Sequence, residues 1–316
     1  MTARQIINRK PGHPERQRGI CFSILATVLA LTTATLARAE VDLSGSWAAR
    51  NHEDSQLHFQ GPAAVDYTGL PLNEGGRARA LAYSPSQLSE PERTCLFYGP
   101  FYLMVGPFGI RMWSDSDPLT GVVTAWHMGG WEDRAPNTIW MDGRPHPPAN
   151  APHTKSGFTT GQWEGNVLVT YTTHMKATYV RRNGAPLSDQ ATLTEHFLRH
   201  GDILTITALL EDPIYLSEPV YMTRTFQLEP TPIPAMGPPC IEGEEGIKEG
   251  VVPHYLPGKN PWIGEQTTRF HIPREAILGG AETMYPEFRR KMKDQFTQPD
   301  PCTRDCIGNQ AGLAVQ

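Results

Sequence analysis

From Val41 to Leu228 the chain is a succession of short β-branched and aromatic runs, each broken by Gly, Pro, Asn or Asp. Runs this short cannot carry an apolar stripe through enough turns to hold a helix, whereas paired strands of this length are stable once several combine. The pattern predicts strands at Val41–Arg50, Phe101–Val105, Ile110–Ser114, Val122–Met128 and Asn137–Met141. It predicts five more at Phe158–Trp163, Val167–His174, Thr192–His200, Ile203–Glu211 and Val220–Leu228.

Two of the breaks fix a register. Gly165-Asn166 and Gly201-Asp202 suit two-residue type II′ turns, whose twist matches antiparallel strands. Counting outward from Gly201-Asp202, Arg199 faces Leu204, Phe197 faces Ile206, Glu195 faces Ala208 and Leu193 faces Leu210. Because side chains alternate with period two, Glu195 falls on the apolar face. From Gly165-Asn166, Trp163 faces Leu168, Gly161 faces Thr170, Thr159 faces Thr172 and Gly157 faces His174.

These elements predict an all-β chain, an antiparallel barrel or strongly curved sheet, over residues 40–230. Gly45-Ser46-Trp47, inside LSGSW, resembles the G-x-W strand that opens lipocalin-like (calycin-like) barrels, in which the Trp closes one end. GxW recurs at Trp131 and Trp163 with uneven spacing, which excludes a solenoid or propeller period. Beyond residue 230 the chain turns Pro- and Gly-rich, with an acidic run EGEEGIKEG. Residues 231–316 read as a long irregular wrapping tail with one short helix near 286–296, where Phe288, Met292 and Phe296 share a face.

The first 39 residues read as a cleaved leader. Five basic residues precede an apolar stretch from Ile20 to Leu31, and Ala37-Arg38-Ala39 ends it. That stretch is too short for the ~20 residues of a membrane span, so the expected location is periplasmic or secreted. The leader holds six Lys/Arg and one acid, so its removal takes the net charge from −5 to −10. A chain that acidic, with no basic run, is a poor partner for nucleic acid or anionic lipid. Cys95, Cys240, Cys302 and Cys306 remain, an even number that in an oxidising compartment predicts two disulfides of open pairing.

The blocks DYTGLPLN (66–73), TIWMDGRPHP (138–147), APHT (151–154), GQWEG (161–165), TTH (172–174) and RRNG (181–184) together resemble an uncharacterised family of exported, β-rich bacterial proteins. EDPIYLSEP (211–219) and Cys240 to Glu242 fit it too. The resemblance covers about residues 42–245. It implies an exported β-barrel and carries no reaction with it.

Polar, titratable side chains concentrate between Thr138 and Gly184, in a proline-braced loop with Asp142, Arg144, His146 and His153, and at His174. Three chemistries suit them. His146, His153 and His174, with Asp142, Glu195 or His127, are types that bind a divalent metal, although no HExxH spacing sets two of them on one helix face. Alternatively, Asp142, His146, His174 and an inward Glu195 serve metal-free proton transfer as a lyase, isomerase or hydrolase, burial raising the Glu195 pKa. Arg144, Arg181 or Arg182 would then orient polar groups. Against that stands an ion pair between Glu195 and Arg199. Third, Trp113, Trp126, Trp140, Trp163, Tyr171, Tyr179 and Phe197 can line a cavity for one small apolar or aromatic molecule, in a carrier without catalysis. No nucleophile elbow, phosphate loop or dinucleotide fingerprint is present, so no organic cofactor is expected. The expectation is a site of Asp142, His146, His174 and Glu195, with Arg144, His153, Trp140, Trp163, Tyr171 and Phe197 around the ligand.

Overall fold

The computed structural model describes residues 40–50, 65, 67, 69–84, 99–105, 109–130, 136–181, 183–231, 254–269 and 271–297. The expected leader, the cysteines and Arg182 lie outside the described residues. All that follows belongs to the unit Val41–Gln316.

Among the described residues eleven strands form: β1 (Gly45–Ala49), β2 (Ile110–Ser116), β3 (Val123–Gly130), β4 (Asn137–Trp140), β5 (Phe158–Glu164), β6 (Val167–Thr173), β7 (Thr178–Tyr179), β8 (Pro186–Leu187), β9 (Thr192–His200), β10 (Ile203–Glu211) and β11 (Val220–Glu229). Nine of them close a barrel in the order β1-β11-β10-β9-β6-β5-β4-β3-β2, while β7 and β8 pair separately. Neighbours in the barrel are antiparallel except β4 and β5, where Ile139 lies beside Thr159 and Trp140 beside Thr160 in parallel. Strand direction must return to itself around a closed ring, so an odd number of strands cannot alternate throughout. One parallel seam is forced. Parallel neighbours need a return connection of roughly a dozen residues or more, and residues 141–157 provide it.

Both expected hairpins form. Gly165 and Gly201 take φ of 66° and 59°, and Asn166 and Asp202 keep negative φ, the signs of a type II′ turn. Arg199, Phe197, Glu195 and Leu193 pair with Leu204, Ile206, Ala208 and Leu210. Trp163, Gly161 and Thr159 pair with Leu168, Thr170 and Thr172. The fourth expected pair, Gly157 with His174, does not form. The ladder stops at Phe158 and Thr173, and His174 leaves it with a φ of 57°.

Alternation then sorts the side chains. Leu168, Leu193, Phe197, Leu204, Ile206, Ala208 and Leu210 face inward and are fully buried. Each large one contributes ~1.5–3 kcal/mol by leaving water. Trp47 is fully buried, and its Nε1 donates to the Leu43 carbonyl at 3.0 Å. Arg199 caps it from outside, with the guanidinium 5.2 Å from the indole centre and hydrogen bonds to the Gly201 and Asp42 carbonyls. The expected end-closing role of the GxW tryptophan fits this packing.

The helices are α1 (Glu74–Ala82), α2 (Pro100–Val105), α3 (Trp262–Arg269), α4 (Arg274–Ile277) and α5 (Pro286–Met292). The strand expected at Phe101–Val105 is a correction: it is α2. Pro100 stands in its first turn, where a missing N–H costs nothing, and Phe101 and Met104 are buried three residues apart on one face. The helix expected near 286–296 is α5, extended by a 3-10 turn at Lys293–Gln295. Of its stripe Met292 is buried, while Phe296 stays 49% exposed. Ile263 of α3 and Ile277 of α4 join the main core, so this part of the tail is more helical than its composition suggests.

Candidate functional site

The residues singled out in the sequence divide between the two sides of the barrel wall. Glu195 is inside. It is fully buried, and its register neighbours are Thr170 on β6 and Ala208 on β10. Thr170 Oγ1 donates to Glu195 Oε2 at 3.4 Å, a long bond, and Oε1 has no partner among the described residues. The expected alternative, an ion pair with Arg199, does not form, because Arg199 is spent at the barrel end over Trp47. Burial therefore dominates and pushes the Glu195 carboxyl up to about 8, with the Thr170 bond opposing weakly. Near neutral pH it is held protonated.

A strip of buried polar groups continues from Glu195 along the inner wall. Thr159 Oγ1 donates to Asn137 Oδ1 at 2.9 Å and lies 2.8 Å from Thr172 Oγ1, with all three residues buried. Asn137 Nδ2 and Trp126 Nε1 are buried and without a partner among the described residues. Of these, Trp126 was expected as a lining aromatic, whereas Asn137, Thr159, Thr170 and Thr172 were not picked out as site residues in the sequence. The signal available was the period-two placement of Thr170 and Thr172 on the same face as Leu168. Trp163 and Phe197 also face inward, Phe197 fully buried. Arg224 is buried on β11 in register with Ile206, its guanidinium 5.9 Å from the Phe226 ring.

The histidines are outside. Thr160 and Thr173 alternate away from the buried Thr159 and Thr172, and His146 bridges them from the 141–157 connection. Its Nδ1 lies 2.8 Å from Thr173 Oγ1 and its Nε2 lies 2.9 Å from Thr160 Oγ1. Thr173 Oγ1 lies 2.7 Å from His174 Nδ1, and His174 Nε2 lies 3.0 Å from the Pro148 carbonyl. Only one proton arrangement satisfies this chain with both rings neutral. The Pro148 carbonyl can only accept, so His174 carries its proton on Nε2 and accepts from Thr173 at Nδ1. Thr173 must then accept from His146 Nδ1–H, and His146 Nε2 accepts from Thr160. Burial and the neighbouring His174 hold the His146 pKa below the usual histidine range. His153 donates from Nδ1 to the Met175 carbonyl at 2.9 Å, with its ring 5.1 Å from His174. The three imidazoles thus strap the parallel connection to the outer wall.

Asp142 and Arg144 form an exposed pair, with Arg144 Nε 2.8 Å from Asp142 Oδ1 and its guanidinium 3.6 Å above the Trp140 ring. The Arg144 bonds hold the Asp142 pKa low. Trp140 and Tyr171 lie on the outer face, and Trp113 stacks on His127 there. The structure therefore does not bring Asp142, His146, His153 and His174 together with Glu195. Among the described residues no three His, Cys, Asp or Glu side chains converge as metal ligands, and no helix is long and apolar enough to cross a membrane.

No family model and no curated protein matches the chain. Among solved structures, a secretary abundant heat soluble (SAHS) protein from Ramazzottius varieornatus aligns over 59% of this chain and 95% of its own, at 10% identity and a TM-score of 0.23. At that level the barrel assignment rests on the strand pairing described above.

Proposed function

We propose that the barrel interior takes up a small, largely apolar molecule, and that protonated Glu195 presents its carboxyl to it. One observation carries the reading: a fully buried acid without a cation, whose Oε1 has no partner among the described residues. An unsatisfied buried polar group costs ~1–3 kcal/mol, and buried carboxylates are ordinarily paired. A core that needed only packing would be better served by Leu at 195. Strongly shifted acids inside an apolar lumen are common at ligand-handling sites.

Binding is favoured over proton-transfer catalysis because, among the described residues, the Glu195 carboxyl bonds only to Thr170, and His146, His153 and His174 occupy the other side of the wall. Among the described residues no second titratable group hydrogen-bonds to it to complete an acid–base pair. The leader-like N-terminus supports an exported carrier. The test is titration with N-phenyl-1-naphthylamine, a neutral dye that brightens in apolar surroundings. Wild type should bind it, and Ala208→Leu, which adds bulk opposite Glu195, should lose the signal while keeping its circular dichroism. Equal dye binding by both, or none by wild type, would refute an interior site.

A further inference from the structure

The proton inventory of the inner wall names the chemistry of that molecule, and this step rests on the interior-binding reading above. Each hydroxyl proton along the strip is already committed. Thr159 gives its proton to Asn137 Oδ1. Its oxygen is then free only to accept, so the 2.8 Å contact takes the proton of Thr172. Thr170 gives its proton to Glu195 Oε2. With Oε2 accepting from Thr170 as the carbonyl oxygen, the carboxyl proton sits on Oε1, the oxygen without a partner among the described residues.

The buried atoms of this strip that have no partner at all among the described residues are then donors: the Glu195 O–H, the Asn137 amide N–H and the Trp126 indole N–H. All three residues are at most 2% exposed. A ligand reaching them must supply acceptors.

Its charge follows from what faces Glu195. Its neighbours on β9 are Leu193 and Phe197, Ala208 stands opposite on β10 and Thr170 on β6. None of them carries charge. The described cation on the inner wall nearest in register is Arg224, one layer along and two strands away on β11, set against the Phe226 ring. An anion beside Glu195 would meet the same apolar surroundings that keep Glu195 itself uncharged. We infer that the barrel selects neutral, mainly apolar molecules bearing a carbonyl-type oxygen, which Glu195 engages as a hydrogen-bond donor.

The experiment is competition against N-phenyl-1-naphthylamine by acetophenone, ethylbenzene and benzoate, three molecules of similar size that differ in acceptor and charge. The informative quantity is the acetophenone-to-ethylbenzene affinity ratio, because water affects that ratio equally in every variant. It should fall about tenfold in Glu195→Leu, the loss of roughly one hydrogen bond. It should fall only about threefold in Glu195→Gln, whose amide still donates. Benzoate should compete more weakly than acetophenone throughout. An unchanged ratio in Glu195→Leu, or benzoate as the strongest competitor, would overturn the assigned ligand chemistry and leave interior binding intact. Absence of dye binding by wild type would overturn both.

Discussion

Glu195 should make this protein less stable as pH rises across the neutral range, and Glu195→Gln should remove that dependence. The ordinary glutamate value is 4.5, and burial raises it to about 8 in the fold. Below pH 4.5 both states are protonated and the site costs nothing. Between 4.5 and 8 the unfolded chain releases a proton that the folded chain must keep. Folding stability therefore falls by ~1.36 kcal/mol per pH unit. Above about pH 8 the loss levels off, after a total of roughly 5 kcal/mol. A glutamine of nearly the same shape binds no proton in either state. Urea unfolding of both proteins at pH 5, 6, 7 and 8 reads the effect as a difference of midpoints at constant m-value. Other titrating groups cancel in that difference. Relative to wild type, Glu195→Gln should gain about 4 kcal/mol from pH 5 to 8. Parallel profiles would mean that Glu195 is ionised in the fold, and the donor role given to it would fail.

The outer strap should respond in the opposite direction. His146 is held below its ordinary value, so its contribution is complete above about pH 6.5 and is lost as pH falls through the lower folded value. Hydrogen exchange over residues 142–154 should quicken from pH 7.5 to 5, after correction for intrinsic rates, while β9 and β10 stay protected; equal protection of the strap at both pH values would count against the directed chain. Gly161→Ala should cost ~1–3 kcal/mol, because a Cβ there would lie 2.7 Å from Ile139 Cγ2 and 2.8 Å from Met141 Sδ. An unchanged melting temperature would show that the packing around Gly161 has slack.

Glu195 was legible as an inward group because Gly201-Asp202 sets the hairpin register with no information beyond its own neighbours. The side of the wall taken by His146 was not legible. It follows from the parallel seam, and that seam follows from a strand count which no local pattern contains. His174 was misplaced for a related reason: the β5–β6 register holds to Thr173, and the chain then bends away to meet the strap. The helix α1 hides for a different cause. It has an Asn73 cap bonding Gly76 N at 2.8 Å, but buries only Gly76 and Ala80, so no apolar stripe announces it. Gly76 is there because a Cβ would meet the Tyr215 carbonyl at 2.4 Å, a constraint set by a segment far along the chain. Asn137 was read as opening the strand Asn137–Met141 but passed over as a site residue, because its partner Thr159 lies on a strand reached only through the parallel seam.

The pairing of Trp47 with Leu228 across the β1–β11 seam has a consequence for how the molecule is made. A nascent chain emerging from its N-terminus holds every barrel strand but the last until Val220 appears. Up to that moment its sheet is open and has two bare edges, β10 on one side and β1 on the other. Unpaired edges recruit strands from other chains, and the contact that removes them is the most distant in sequence, so it forms late. Aggregation during synthesis is therefore governed by how soon β11 zips the seam. Substitutions that weaken that last strand should lower yield before they measurably lower the stability of molecules already closed.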